Sequence, residues 1–352
     1  MHESLIMGKP ETIHKRTPKP RNSNIEFLRI VAMLMVLMLH VNFFSIGKPS
    51  ETEYLVKPLE SITRISFELI CIISVNLFVF ISGWFGINAK LKSICRFLFQ
   101  CVFIVLIVSV IGECCGFVAP TLDAFAKTIF RASGNWFIIA YLFLYIFSPI
   151  LNSFCKTASE RNIRYFLIFF YVLQTLFGNI AYIAPYCSDG YSAFSFMGIY
   201  VLARYMNLYG ERFQKYGLYI YVLSTLGLIV MFCIPYITDS GSILQRMCLS
   251  YTSPLNIMAC AGLSVWVAHL KPRHNRVINF IASSAFTVYL VHMCTRWTML
   301  EYRNISADIY QTFSGIQYLF VIGSFIVGVY LISIILDQIR LLCWKLIEKI
   351  WK

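Results

Sequence analysis

Long apolar runs separated by short polar segments dominate the chain. Runs of roughly 20 apolar residues match the length that a helix needs to cross about 30 Å of hydrocarbon. No ten-residue segments of alternating hydrophobicity occur, so helices are predicted rather than the strands of a barrel. The predicted spans are 25–46, 68–88, 94–118, 134–153, 163–185, 190–209, 216–237, 253–270, 277–300 and 316–340. The fold class is therefore all-α, a polytopic membrane protein with about ten transmembrane helices.

The positively charged residues predict the direction of these helices. Lys and Arg are enriched in the cytoplasmic loops of membrane proteins. One alternating set of inter-span segments, which includes both ends of the chain, contains 21 Lys and Arg residues, whereas the other set contains seven. Both termini are therefore expected to be cytoplasmic. We predict a disordered basic tail at 1–24, one transmembrane domain at 25–340 and a C-terminal tail at 341–352.

Composition excludes several other classes of protein. The net charge is +13 and 13% of residues are charged, about half the charged fraction of a soluble domain. The basic residues lie in short segments rather than on one continuous face, so no nucleic-acid partner is expected. No P-loop, paired-glycine dinucleotide fingerprint, Gly-x-Ser-x-Gly elbow or Cys/His metal spacing occurs. We therefore expect neither a metal nor an acyl-enzyme on a Ser or Cys.

Two histidines within the spans are the strongest candidates for chemistry. An ionisable side chain at the centre of a bilayer costs about 2.5–3.5 kcal/mol on insertion scales, so it is a functional candidate by default. Of six histidines, only His40 and His292 fall within spans. Each follows the predicted start of an outward-running span by 15 residues, which places both roughly 22 Å from the inner edge. We expect them to line one cavity, although separate hydrogen bonds across helix interfaces would also explain them.

Other polar groups are predicted to accompany these histidines. Arg29 precedes His40 by 11 residues, close to three helical turns, so the two share a helix face. An interfacial arginine that snorkels to water, paired with Glu26, is the alternative. Arg296 follows His292 by four residues and is predicted to share its face, where simple interfacial anchoring competes with a functional role.

A Ser-Gly step in the second span is predicted to lie at a depth similar to that of Arg29. Ser82 and Gly83 permit close backbone approach, either by a neighbouring helix or by a ligand. Small residues in membrane helices are usually packing devices, so this step alone does not decide between the two.

Five short motifs, in order along the chain, resemble the acyltransferase-3 family of bacterial membrane acyltransferases. The first is a basic residue followed by ten others and a histidine, met here by Arg29 and His40. The second, Phe78 to Trp84, resembles the family's Phe-Phe-x-x-Ser-Gly-Phe stretch, from which Val79 and Trp84 depart. The others are Asn135-Trp136-Phe137, Ser253-Pro254-Leu255 and Tyr289-Leu290-Val291-His292. The resemblance covers about residues 24 to 340.

This resemblance implies transfer of an acyl group, usually acetyl, by a multi-pass protein of the bacterial cytoplasmic membrane. The donor would be a cytoplasmic acyl-CoA such as acetyl-CoA, and the acceptor a hydroxyl of an envelope glycan or polyprenyl-linked sugar. Coenzyme A is polyanionic, so charge-assisted hydrogen bonds from basic residues would hold its phosphates. The expected residues are His40 and His292 for catalysis, with His40 as the general base; Arg29, Ser82, Gly83 and Trp84 for the donor; and Trp136, Tyr289 and Arg296 for the acceptor.

The sequence leaves alternatives open. No soluble esterase-like domain follows the predicted membrane domain, so we expect transfer to be completed within the membrane domain or by a separate partner. A glycan exporter or proton-coupled transporter would also suit ten spans and midplane histidines, although no internal repeat or matched pair of broken helices supports it. A scaffold subunit of an envelope-assembly complex is the third possibility, and in it His40 would be dispensable.

Overall fold

The structure, a computed structural model, describes residues 22–119, 121, 123, 126–127, 134–238 and 243–350, and all the regular structure in these ranges is helical. The helices are α1 (Ser23–Val41), α2 (Glu51–Val56), α3 (Pro58–Cys71), α4 (Ser74–Phe85), α5 (Leu91–Cys114), α6 (Trp136–Thr157), α7 (Glu160–Leu173), α8 (Ala193–Tyr209), α9 (Gly217–Thr238), α10 (Ile243–Leu249), α11 (Pro254–Ala268), α12 (Arg276–Ser283), α13 (Ala285–Met293), α14 (Arg296–Thr312) and α15 (Gly315–Ile350). Wider π-helical turns follow α1 (Asn42–Ile46) and α7 (Gln174–Ile180), and a 3₁₀ turn (Gly210–Tyr216) joins α8 to α9. The prediction of an all-α fold is confirmed for the described residues.

Eight helical segments of the described chain are long and apolar enough to cross a membrane. They are Ser23–Ile46, Pro58–Phe85, Leu91–Cys114, Trp136–Thr157, Glu160–Ile180, Ala193–Thr238, Arg276–Met293 and Gly315–Lys349. The segment Ala193–Thr238 covers the predicted span 216–237 and most of the predicted span 190–209. The predicted span 253–270 corresponds to α11, whose 15 residues fall short of the length that usually crosses a bilayer. The chain is a multi-pass membrane protein, whereas the count of ten and the side on which its termini lie stay predictions.

The ends of the predicted domain meet the structure differently. Residues 1–21 of the predicted N-terminal tail lie outside the described residues. At the other end, α15 continues past 340 to Ile350, so most of the predicted C-terminal tail extends the last helix.

One predicted span ends earlier than expected. The run 277–300 is helical to Met293 apart from a turn at Ser284, and α14 starts anew at Arg296. Thr295 caps this new helix, because its side chain accepts a hydrogen bond from the backbone N–H of Thr298 at 3.3 Å. Arg296 therefore does not continue the helix of His292, and the predicted shared face is wrong.

Local sequence explains many of the helix starts. A side-chain oxygen before the first helical residue satisfies N–H groups that have no partner within the helix. Such caps are Asn22, Ser50, Asn135, Ser159, Ser192 and Asn275. Pro58 and Pro254 instead occupy the first turns of α3 and α11, where a missing N–H costs nothing.

Helix α1 lies at the centre of the fold. It packs against α3, α4, α11, α12, α13, α14 and α15. Helix α4 contacts α1 and also packs closely against α8. A Cβ atom added to Gly83 would lie 2.7 Å from the carbonyl oxygen of Tyr200 on α8, so only glycine allows this approach. The core therefore brings the helix that carries Arg29 and His40 against the helix that carries Ser82.

Candidate active site

His40 and His292 form a direct hydrogen bond. Nδ1 of His40 lies 3.0 Å from Nε2 of His292, and the ring centroids are 5.1 Å apart. His292 is 2% exposed, and its ring packs against Tyr302 at 5.1 Å. Tyr302 in turn donates to the carbonyl oxygen of Leu37 at 2.9 Å, which fixes α14 against α1. The structure thus places the two histidines together, as their equal depth predicts.

The surroundings of His292 define where the protons of this pair lie. Nδ1 of His292 is 2.5 Å from the carbonyl oxygen of Val288, which can only accept, so this nitrogen carries the hydrogen. A neutral imidazole has one N–H, and Nε2 of His292 is therefore an acceptor. The hydrogen between the rings then belongs to Nδ1 of His40. We assign the tautomers from these partners, and they leave Nε2 of His40 with a free lone pair, the state that a general base requires.

A π-helical turn begins at Asn42, two residues after His40. Turns of this kind break the regular helical hydrogen bonds and occur often at functional sites. Glu68, which is 6% exposed, accepts from Nδ2 of Asn42 at 3.0 Å and from the backbone N–H of Phe43 at 3.3 Å. Ser45 donates to the carbonyl oxygen of His40. Glu68 on α3 thus holds the segment that ends α1 and, through it, the position of His40.

No carboxylate in the described part of the chain bonds to either ring. The sequence left open whether a carboxylate or a cation neighbours His40. The hydrogen-bond partner of its ring is instead the second imidazole. Glu68 instead accepts from the side chain of Asn42 and from the backbone N–H of Phe43, two and three residues after His40.

A cavity of about 60 Å³ adjoins His40. It is lined by Met33, Val36, Leu39, His40, Val75, Phe78, Trp136, Phe137, Tyr251, Phe286, Tyr289 and Met293. His292 is absent from this lining and is itself buried. The expectation that both histidines line one cavity is therefore wrong for His292, which contacts the cavity residue His40 instead.

Asn135 ties two walls of this cavity together. Its Oδ1 atom accepts from the backbone N–H groups of Phe137 and Ile138, which caps α6. The same oxygen accepts from the hydroxyl of Tyr289 on α13 at 2.9 Å. The ring of Trp136 packs edge-on against Tyr191 at 4.6 Å. The motif Asn135-Trp136-Phe137 thus positions two aromatic residues, Trp136 and Tyr289, beside His40.

Arg29 lies toward the opposite end of α1 from His40, and Ser82 lies on the neighbouring helix α4. Ser82 is within hydrogen-bond distance of the hydroxyl of Tyr141, at 2.9 Å. Arg29 interacts electrostatically with Tyr141 and with Tyr330. It also pairs with Glu26 at 2.6 Å, as the sequence suggested. The Tyr330 hydroxyl is buried and has no hydrogen-bond partner in the described residues, so this end of the bundle offers a cation, hydroxyl groups and one unsatisfied donor.

Three expected ligand-binding residues do not join this arrangement. Gly83 faces the backbone of Tyr200, so its small size serves helix packing rather than ligand approach. Trp84 contacts His269 through its ring, at 5.9 Å, and accepts from Arg204 through its carbonyl oxygen. Arg296 is exposed at the start of α14 and is not among the residues that line the cavity.

Several residues of the site were missed in the sequence. Tyr141 and Tyr330 lie in apolar spans, where a tyrosine is most simply an interfacial or packing residue. Tyr251 precedes the Ser253-Pro254 motif, and its carbonyl oxygen accepts from Asn76 at 2.8 Å. Glu68 lies at the start of a predicted apolar span, and nothing in the sequence shows that it supports the turn after His40.

Comparison with known protein families matches residues 22–337 to the acyltransferase domain of the acyltransferase-3 family. The match covers nearly the whole chain and confirms the resemblance that the five motifs indicated. Neither the curated proteins nor the solved structures include a match to this chain.

Proposed function

Because the chain belongs to the acyltransferase-3 family, we propose that it moves an acetyl group from acetyl-CoA to a hydroxyl of a cell-envelope glycan or polyprenyl-linked sugar. The reaction would occur in the bacterial cytoplasmic membrane. The observation that carries this proposal is the position of His40, which lines a small cavity and is fixed by its hydrogen bond to His292. The assigned tautomers leave its Nε2 as the base.

His40 can perform both proton transfers of the reaction. Nε2 of His40 takes the proton from the acceptor hydroxyl as its oxygen attacks the thioester carbonyl carbon. The carbon–sulfur bond then breaks, and the departing sulfur of coenzyme A takes the proton from His40. While His40 carries the positive charge, its Nδ1–H donates to His292, and a charge-assisted hydrogen bond of this kind is about twice as strong as a neutral one. His292 is thus a positioning residue that acts through His40.

Arg29 is the proposed contact for the donor. Its side chain is 27% exposed, and it lies near the unsatisfied hydroxyl of Tyr330. A phosphate or pantetheine amide of coenzyme A would provide acceptors for both groups. Ser82 bonds to Tyr141 and to the carbonyl oxygen of Phe78, a residue of the cavity lining, so this polar pair lies next to the cavity.

The cavity favours acetyl over succinyl as the transferred group. Its volume of about 60 Å³ has room for only a few small groups. Its lining contains no Lys or Arg, so the free carboxylate of a succinyl group would be buried without a cation. Burying an unpaired carboxylate is costly, whereas a methyl group fits the apolar walls.

The same cavity argues against an exporter. A passage for a glycan would have to admit whole sugar rings, whereas the space beside His40 is small and its lining is mainly apolar. Trp136 and Tyr289 instead provide aromatic walls at which one sugar hydroxyl of an acceptor could reach His40. Whether a separate partner protein presents the acceptor does not alter this chemistry.

Label transfer tests the proposal. Membranes containing the protein would be supplied with acetyl-labelled or succinyl-labelled coenzyme A, and alkali-labile label would be measured in glycans and lipid-linked sugars. We expect label from the acetyl donor only, in proportion to the amount of protein inserted. Absence of transfer from either donor to any of several acceptors would contradict the proposal and favour the exporter, and efficient succinyl transfer would overturn the assignment of the donor.

A further inference from the structure

A second cavity, of about 720 Å³, lies on a different face of α1 from the histidine cavity. Met38, Val41 and Asn42 of α1 and its following turn border it, whereas Met33 and His40 border the histidine cavity. Its other walls come from α3, from the end of α14 and from the start of α15. We refer to it as the α3–α15 groove. None of the proposed steps of acyl transfer uses it.

One part of the groove is continuous with the apolar outer surface of the bundle. Leu59 and Leu319 line it and are 80% and 54% exposed. On the same helix as Leu319, Ile316 and Phe320 are 80% and 77% exposed. In a membrane-spanning chain, apolar surface of this kind faces hydrocarbon. A lipid chain can therefore enter the groove sideways from the bilayer.

The lining of the polar part of the groove holds one more cation than carboxylate. Lys57 and Arg64 line it, and Glu60 is the acidic residue in the lining. The carboxylate of Glu60 is already engaged by Lys57 at 3.6 Å and by the hydroxyl of Tyr310 at 2.6 Å. One N–H of Arg64 has only a long contact, 3.4 Å, to that hydroxyl. An anion placed between Lys57 and Arg64 would gain charge-assisted hydrogen bonds.

Two helix N-termini add to this positive potential. The groove is lined by the first turn of α3, including Leu59 and Glu60, and by Ser314 and Gly315 at the start of α15. The residue that precedes α3 makes no side-chain capping bond. Helix N-termini carry partial positive charge and unpaired N–H groups, which attract phosphate.

We propose that the α3–α15 groove binds a membrane lipid with a phosphate-ester head group. The phosphate lies between Lys57 and Arg64, and the hydrocarbon chain follows Leu319 toward the bilayer. Arg64 also donates to the carbonyl oxygen of Gly47 and to Oδ1 of Asn42, so the head group lies beside the turn that follows His40. The binding does not depend on the proposed acyl transfer.

Lipid binding to the purified full-length protein tests this site by native mass spectrometry. The probe is dioleoylphosphatidic acid, compared with dioleoylphosphatidylcholine and with glycerol 3-phosphate as a soluble competitor. Lys57→Glu is expected to weaken phosphatidic acid binding about tenfold, which corresponds to about 1.4 kcal/mol. Lys127→Glu is the matched control, because Lys127 is also an exposed lysine paired with a nearby carboxylate, and it should not change binding.

A second pair of variants tests the groove itself without changing charge. Thr63 is exposed and lines the groove, so Thr63→Trp should fill it and abolish saturable binding. Leu226→Trp, at a half-exposed position of α9, should leave binding intact. Three results would each overturn the proposal. The first is equal binding of the two phospholipids, and the second is full displacement of the lipid by glycerol 3-phosphate at the lipid's own affinity. The third is normal binding by both Lys57→Glu and Thr63→Trp.

Discussion

Replacing His292 by phenylalanine isolates the contribution of the bond between the two imidazoles. Phenylalanine fills the buried site but offers no acceptor to Nδ1 of His40, which His292 contacts at 3.0 Å. A hydrogen bond to a charged group contributes about 1.5–3 kcal/mol, and His40 is charged only after it has taken the proton. Each 1.36 kcal/mol changes a rate tenfold, so kcat should fall about 10- to 100-fold. KM for acetyl-CoA should stay nearly constant, because Arg29, the proposed donor contact, is unchanged.

Steady-state acetyl transfer by purified protein measures this effect, with His292→Gln as the companion variant. The glutamine carbonyl oxygen can accept from His40 Nδ1–H, and we expect it to recover part of the lost rate. Two results would refute the reasoning. Full activity of His292→Phe would show that the bond is unimportant, and a loss equal to that of His40→Ala without recovery by glutamine would show that His292 itself contacts the reacting groups.

Three further substitutions test the supports of the site. Arg29→Gln should raise KM for acetyl-CoA about tenfold or more. Glu26→Gln removes the partner of Arg29 in the 2.6 Å ion pair and should leave this KM unchanged. Equal KM values for Arg29→Gln and the wild type in transfer assays would contradict the donor assignment. Glu68→Leu leaves two donors unsatisfied at about 1–3 kcal/mol each and should lower kcat. Glu68→Gln keeps an acceptor and should keep most of the activity, and similar rates for the two variants would exclude this supporting role. Asp337→Leu leaves buried Arg340 without its 2.7 Å partner and should lower the stability of the protein by about 3–5 kcal/mol, measured by thermal unfolding in detergent. The double change Asp337→Leu/Arg340→Leu should recover much of this stability, and a double variant no more stable than the single one would contradict the prediction.

The pairing of His40 with His292 could be predicted in part. Hydropathy fixes depth, because each residue of a helix adds a constant rise, and both histidines lie at one depth. Depth does not specify which side of the bundle a residue faces. That depends on how α1 and α13 pack, so the bond itself, and the burial of His292, needed the structure.

Hydropathy could not predict the break between His292 and Arg296. The residues around it remain largely apolar, so a sliding window continues through it. Thr295 was the available signal, since threonine is a favoured helix cap. The π-helical turn after His40 left no comparable pattern, because it depends on contacts between Asn42 and Glu68, which are distant in sequence.

Small and charged residues near span ends were the hardest to interpret. The Ser82-Gly83 step was compatible with packing or with a ligand, and Gly83 serves packing because α8 approaches it. Asp337 and Arg340 stood at the predicted end of the last span, where charges normally face water. In the structure α15 continues, and Asp337 accepts from Ser284 and Thr287 on the facing segment.

Acetyl transfer by His40→Ala is the most direct measurement of the central claim. Purified protein would be assayed with labelled acetyl-CoA and an accepting glycan, with wild type, His40→Ala and His274→Ala at equal amounts. His274 is an exposed histidine in the loop between α11 and α12 and serves as the matched control. Loss of the general base should lower kcat by about 10²- to 10⁴-fold, whereas His274→Ala should transfer at the wild-type rate. Undiminished transfer by His40→Ala would contradict the account of this site.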